Sequence, residues 1–374
     1  MSERQPGAVV VGTGFGLFTH VRALRLAGFE VRAIVGRDRA RTQERAAPLD
    51  IPLATDRLEE ALEDPENKVV TVATPPHAHH SPVMAAIAAG RHIVCEKPFA
   101  RDLDQAREML ATAREAGIIH MLGAEFRFDS AQALLRRVVR SGAIGEPLQF
   151  LRIFHQPGLQ DPAEALSPWW EDAEQGGGFL GAFGTHMIDQ VLSTFGRIER
   201  VSAVLQTMAP GRPHMTADDS YVVQFAGEGR LRGTLMAAMA AAGPLIVATK
   251  VVGTKGGAWI QSGAQFGDPE QVWVMDTGGS RQVPMPDDLV YPPPTPFPVA
   301  DLIQTEQDRW HTMGIDVEPY ARLFRELRKR MNDEDVDAPE IAATFEDAVQ
   351  GQAVLDACRR SARESQWVDI PPSI

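Results

Sequence analysis

The sequence predicts an α/β chain: an N-terminal doubly wound parallel sheet followed by a C-terminal α/β domain on an open, mainly antiparallel sheet. Three observations predict it. Strand and helix signals alternate as far as Leu122, and a glycine-rich turn joins the first strand to the first helix. Beyond Gly123, β-branched runs follow one another with only short glycine or charged turns between them. A chain of 374 residues exceeds one ordinary core, which suggests two domains, 1–123 and 124–374, with one late helix packing back on the first.

In order, residues 8–11 form a short apolar strand that passes into Gly12-Thr13-Gly14-Phe15-Gly16. Leu17, Val21 and Leu24 then recur at helical spacing until Gly28. Strand, glycine turn and helix are the context of a dinucleotide fingerprint, the Rossmann arrangement. Gly12 would allow the tight turn, Gly14 the approach of a pyrophosphate, and the helix start its free amides. The third fingerprint position holds Leu17, with Gly16 one place early. On spacing alone, a phosphate-binding turn and an ordinary glycine-rich connection both stay open.

The next strand, 30–35, ends at Gly36-Arg37, which leaves room for a ribose 2′-phosphate and supplies a cation, so the reading leans to NADP over NAD. Two alternatives stand beside it: Arg37, Arg39 and Arg41 as a solvated helix start, and Asp38 reaching the ribose. Asp56 and Glu59 resemble a capping box, and 68–74 reads as a buried strand ending at Thr74-Pro75-Pro76-His77-Ala78-His79. Ser81 and Pro82 look like a cap and first helical residue. The helix delivers the chain to a strand at 93–95, followed at once by Glu96, Lys97 and Pro98. A lysine at the carboxyl end of such a strand faces the ligand crevice. A helix over 102–116 and a strand over 118–122 continue the alternation. His77, His79 and His80 have no cysteine or carboxylate nearby to complete a metal set, so no metal is expected.

After Gly123 come a helix at 131–140, a strand at 148–155, Trp169-Trp170, the triplet at 176–178 and a helix at 179–195. Strands at 201–208, 220–225, 231–236, 246–252, 258–261 and 271–275 follow, then a proline-rich loop at 292–298 and helices at 317–331 and 343–364. His186 and Asp189 are three apart and share a helical face. Each is either a core residue or part of a site, and Trp169 is either core or a pocket wall for a sugar face.

A formal charge of -13 argues against nucleic acid or an anionic membrane surface as the main partner. Two cysteines, Cys95 and Cys358, are too few for a disulfide framework, which points to a reducing cytoplasm. No stretch of the sequence is apolar for long enough to span a bilayer, and no leader is expected in Met1 to Gly7.

Taken together, the glycine turn, Thr74-Pro75-Pro76 with His79, Glu96-Lys97-Pro98, Arg127, Ile144-Gly145-Glu146-Pro147, Gly176-Gly177-Gly178 before Gly184-Thr185-His186 with Asp189, and Thr344-Phe345-Glu346-Asp347-Ala348 resemble the Gfo/Idh/MocA oxidoreductase family. The resemblance implies a cofactor domain at 1–123, a substrate and oligomerisation domain at 124–374, and NAD or NADP as cofactor. It also implies a polyol or keto-sugar substrate and a homodimer or homotetramer joined through sheet faces. The residues expected to meet the cofactor are Gly12, Gly14, Phe15, Arg37, Thr74, Pro75, His79, Glu96, Lys97 and Arg127. Carried over by position, Lys97 looks like the family's catalytic lysine and His186 like its acid/base histidine, and Lys97, Trp169, His186 and Asp189 are the expected substrate contacts. Where the family often has an aspartate four residues before the histidine, this chain has Ala182. That departure and the irregular glycine turn keep in view a catalytically silent nucleotide-binding regulator or subunit, and the resemblance leaves a third reading, an enzyme that uses its cofactor transiently for elimination or glycoside cleavage.

Overall fold

The computed structural model describes residues 5–263, 268–297, 305–336 and 338–372; Pro298, at the end of the proline-rich loop, lies outside them. The chain divides into two compact units, Met1–Phe128 with Pro292–Val349 and Asp129–Tyr291 with Gln350–Ile374. This differs from a single boundary after residue 123. The second segment of the first unit carries a late helix, Val317–Met331, whose Tyr320, Leu323, Phe324 and Leu327 are fully buried in one core with Ala8, Val10, Leu17 and Leu24.

In the first unit the described strands are β1 Gly7–Val11, β2 Glu30–Val35, β3 Leu53–Thr55, β4 Asn67–Val72, β5 His92–Glu96 and β6 His120–Gly123. They run parallel in the order β3-β2-β1-β4-β5-β6. That order puts the switch point of a doubly wound fold between β1 and β4. Side chains of β1 alternate between two cores, Val9 and Val11 on one face and Ala8 and Val10 on the other, as the strand pleat requires. The connecting helices are α1 Val21–Leu26, α2 Arg39–Ala46, α3 Leu58–Leu62, α4 His80–Ala88 and α5 Leu103–Glu115. Two helix starts differ from expectation. No capping box forms at Asp56, because its carboxylate binds Arg39 at 3.1 Å and α3 starts after Arg57 without a side-chain cap. The next helix begins at His80, ahead of Ser81, because the 3-10 turn Pro76–Ala78 leads into it.

The second unit is built on β7 Pro147–His155, β8 Ile198–Gln206, β9 Ser220–Gly227, β10 Arg232–Ala238, β11 Ile246–Gly253, β12 Gly257–Gln261, β13 Gln271–Asp276, β14 Gly279–Val283 and β15 Val368–Asp369. Their order is β14-β13-β12-β11-β7-β10-β9-β8-β15, antiparallel throughout except between β7 and β10. Helices α6 Ser130–Arg140, α7 Pro168–Glu171 and α8 Thr185–Phe195 belong to this unit. Leu134 and Val138 of α6 and Ile188 and Val191 of α8 share one core with Phe150, Phe154, Val251 and Ile260 of the sheet. On the other face Trp259 and Trp273 stack with ring centroids 6.2 Å apart. No helix among the described residues is long and apolar enough to cross a membrane.

Candidate active site

The glycine turn has a division of labour. Gly12 sits at φ +118°, and a Cβ there would strike the carbonyl oxygen of Ala73. Gly16 packs so closely on β1 that a Cβ would lie 2.9 Å from Val10 Cγ1. It therefore takes the helix-packing role of the third fingerprint glycine, one residue early. The π turn Gly16–His20 follows directly and leads into α1, and such a turn takes up one residue more than an α turn. Gly14 is different: a Cβ there would meet nothing within 4 Å. Its backbone faces open space at the switch point, which fits the approach of a dinucleotide pyrophosphate.

After β2, Arg37 and Arg41 are exposed, whereas Arg39 is tied to Glu60 at 2.6 Å and Asp56 at 3.1 Å. The Asp38 carboxylate accepts from Arg41 N at 2.8 Å, capping α2. After β4, Thr74 donates through Oγ1 to Ala78 O at 3.2 Å, and Pro75 precedes the 3-10 turn. His79 is fully buried, with Nε2 2.6 Å from Thr74 O and Nδ1 3.1 Å from Phe99 O. Burial lowers its pKa while those two carbonyls oppose the shift; the ring pins the Thr74-Pro75 turn to the segment after Lys97. Arg127 is buried and pairs with Asp347 at 3.2 Å, joining two segments far apart in sequence.

Lys97 follows the carboxyl end of β5, half-buried, and its peptide bond to Pro98 is cis. Beside it Glu96 is 4% exposed. His20 Nε2 lies 3.0 Å from Glu96 Oε1, the Tyr320 hydroxyl donates to the same oxygen, and Lys97 N donates to Oε2 at 3.2 Å. Burial raises the Glu96 carboxyl, but His20, Lys97 and Tyr320 outweigh it and hold it below the usual range. Glu125, just past β6, goes the other way: burial pushes its carboxyl well up despite the nearby Lys97. Phe15 stands edge-on to His20, Tyr320 and His311, with centroids at 5.4, 5.5 and 4.6 Å.

Trp169, His186 and Asp189 lie in the second unit. Gly177 lets the chain pass over α7, since a Cβ there would strike Trp169 O. Asp218 Oδ2 accepts from Leu180 N at 2.8 Å, and its backbone carbonyl from Phe179 N at 2.7 Å. A second π turn, Leu180–Gly184, then leads into α8, where His186 and Asp189 are buried. Phe183 is edge-on to His186 at 6.4 Å, and Ala182 is buried. No group of three or more metal-ligating side chains occurs among the described residues.

Residues 7–124 match the oxidoreductase family with an NAD-binding Rossmann fold, and residues 132–259 match the GFO/IDH/MocA C-terminal domain. The chain belongs to the Gfo/Idh/MocA oxidoreductase family. Among relatives of this Gfo/Idh/MocA protein, trans-1,2-dihydrobenzene-1,2-diol dehydrogenase of Macaca fuscata fuscata is 32% identical over 67% of this chain and 72% of its own. Levoglucosan dehydrogenase of Pseudarthrobacter phenanthrenivorans is 38% identical over 41% of this chain. That match spans about two fifths of the relative, 39% of its length. A solved structure of levoglucosan dehydrogenase in complex with NADH and levoglucosan has the same fold, with a TM-score of 0.82 at 23% identity over 98% of this chain and 99% of that one.

Proposed function

We propose that this Gfo/Idh/MocA protein is an NAD(P)-dependent dehydrogenase or reductase acting on a secondary alcohol or ketone of a sugar, inositol or related polyol. The observation that carries the reading is Lys97, at the strand end on the same edge of the sheet as the open glycine turn. Relatives named for a diol and for levoglucosan support the substrate class. The nicotinamide, when bound, supplies the hydride chemistry. Gly12, Gly14, Phe15, Thr74 and Pro75 would hold it, with His79 and Arg127 fixing the turns around it. Exposed Arg37, with Arg39 already paired and Asp38 spent on its cap, supports NADP over NAD.

In the reductive direction a protonated Lys97 polarises the substrate carbonyl and gives it a proton; in oxidation it takes the proton back. His186 is the second acid/base group of this reading, with Trp169 and Asp189 as substrate contacts. A homodimer or homotetramer through the open face of the second sheet belongs to it too, supported by exposed Val204, Ile246 and Met275.

Lys97→Ala is expected to lower turnover across a polyol and keto-sugar panel by about 100-fold or more while cofactor binding persists; turnover at the parental rate would remove the assignment. Arg37→Ala is expected to raise KM for NADPH and leave KM for NADH unchanged. A parental KM for NADH well below that for NADPH would count against NADP. Buried Ala182, in place of a carboxylate, favours a second reading as a silent subunit, which tight nicotinamide binding without consumption would reveal.

A further inference from the structure

The buried polar set behind Lys97 is used by neither role above. Glu96 takes donors from three places: the π turn through His20, the helix Val317–Met331 through Tyr320, and its own strand end through Lys97 N. Room for it is made by Gly123, its ladder partner on β6. A Cβ at Gly123 would strike Glu96 Oε1 and stand 3.1 Å from the Tyr320 hydroxyl. The Tyr320 oxygen also lies 3.2 Å from Gly123 O, which places the ring over that gap. Both carboxylate oxygens therefore meet protein donors.

We propose that His20, Glu96 and Tyr320 are positioning residues that keep a fixed negative charge beside Lys97 and so hold its amine in the proton-donating form. The inference rests on the reductase reading above and assigns Glu96 a role apart from cofactor contact. The groups that face the pair are His20 from the π turn, Cys95 from β5, His79 after β4, Glu125 after β6, and Asp316 and Tyr320 at the late helix. Of the two carboxyls, burial favours the neutral form of Glu125, and the donors on Glu96 favour its charged form. Two carboxyls driven in opposite directions at one site mark separate duties. Glu96 supplies the charge. The proton that leaves Lys97 Nζ ends on the product hydroxyl and is replaced from water.

The test needs no substrate. Full-length protein is pulse-acetylated with acetic anhydride from pH 6 to 11, and modification of Lys97 is followed by peptide mass spectrometry against exposed Lys68. Only neutral amines react, so a change in access alters the plateau, and a change in charge environment moves the midpoint. Glu96→Gln is expected to lower the Lys97 midpoint by about one pH unit or more. Tyr320→Phe should lower it less, and Glu96→Asp should return it toward the parental value. An unmoved midpoint in folded Glu96→Gln protein overturns the proposal; if that variant does not fold, Tyr320→Phe decides in the same way. A protein that consumes no nicotinamide yet shows the shift loses the reaction and keeps this arrangement. One that turns over with an unmoved midpoint loses this arrangement alone.

Discussion

Asp218 holds the backbone after the glycine triplet, and it does so as a half-buried carboxyl. Burial raises its pKa to about 6, against the pull of Leu180 N and Arg359. A carboxyl whose folded pKa lies above its unfolded value binds more protons in the folded state, so stability falls as pH rises from about 4 to about 6. Asparagine keeps an acceptor for Leu180 N and removes the charge. Asp218→Asn is therefore expected to stabilise the protein by on the order of 2 kcal/mol at pH 8 and to lose that advantage by pH 4. Thermal melts at the two pH values check it, and an offset independent of pH would show that the carboxyl is not strained.

At the scale of elements, the glycine turn separates folding from binding. Gly12→Ala puts a Cβ at positive φ into the Ala73 carbonyl, which is expected to cost about 2 kcal/mol or more. Gly14→Ala meets no protein atom within 4 Å, so its melting temperature should stay near the parental value while NADPH affinity falls in a calorimetric titration. Equal binding in that variant would mean the pyrophosphate is held elsewhere. Buried parallel strands such as β1, β4 and β5 were legible in the sequence because they are unbroken β-branched runs. β3 and β15 are too short to show a period, and β14, Gly-Ser-Arg-Gln-Val, is too polar. The same divide holds for the site. Gly12 with Gly14 and Glu96 with Lys97 are neighbours in sequence, and spacing alone exposes them. His20 and Tyr320 meet Glu96 across 76 and 224 positions, and no local pattern announces that. Glu125 and Asp218 were missed because only burial sets them apart from ordinary acidic residues.

For the whole molecule, the division at 128, 291 and 349 makes the first unit depend on residues far from its sheet. A fragment ending at residue 123 lacks Tyr320, Leu323, Phe324 and Leu327, which complete one of its two cores. It is expected to bind a hydrophobic dye and to melt without a cooperative transition, whereas a fragment with the second segment supplied in trans should recover one. A fragment that melts cooperatively alone would show that the late helix is dispensable.

That late helix also bears on how the protein is made. A ribosome will have emitted residue 331 before the first core can close, and residue 369 before the second sheet gains its edge strand. Until then the nascent polypeptide carries apolar surface that only its late segments cover, a natural substrate for chaperones that wait at the exit tunnel.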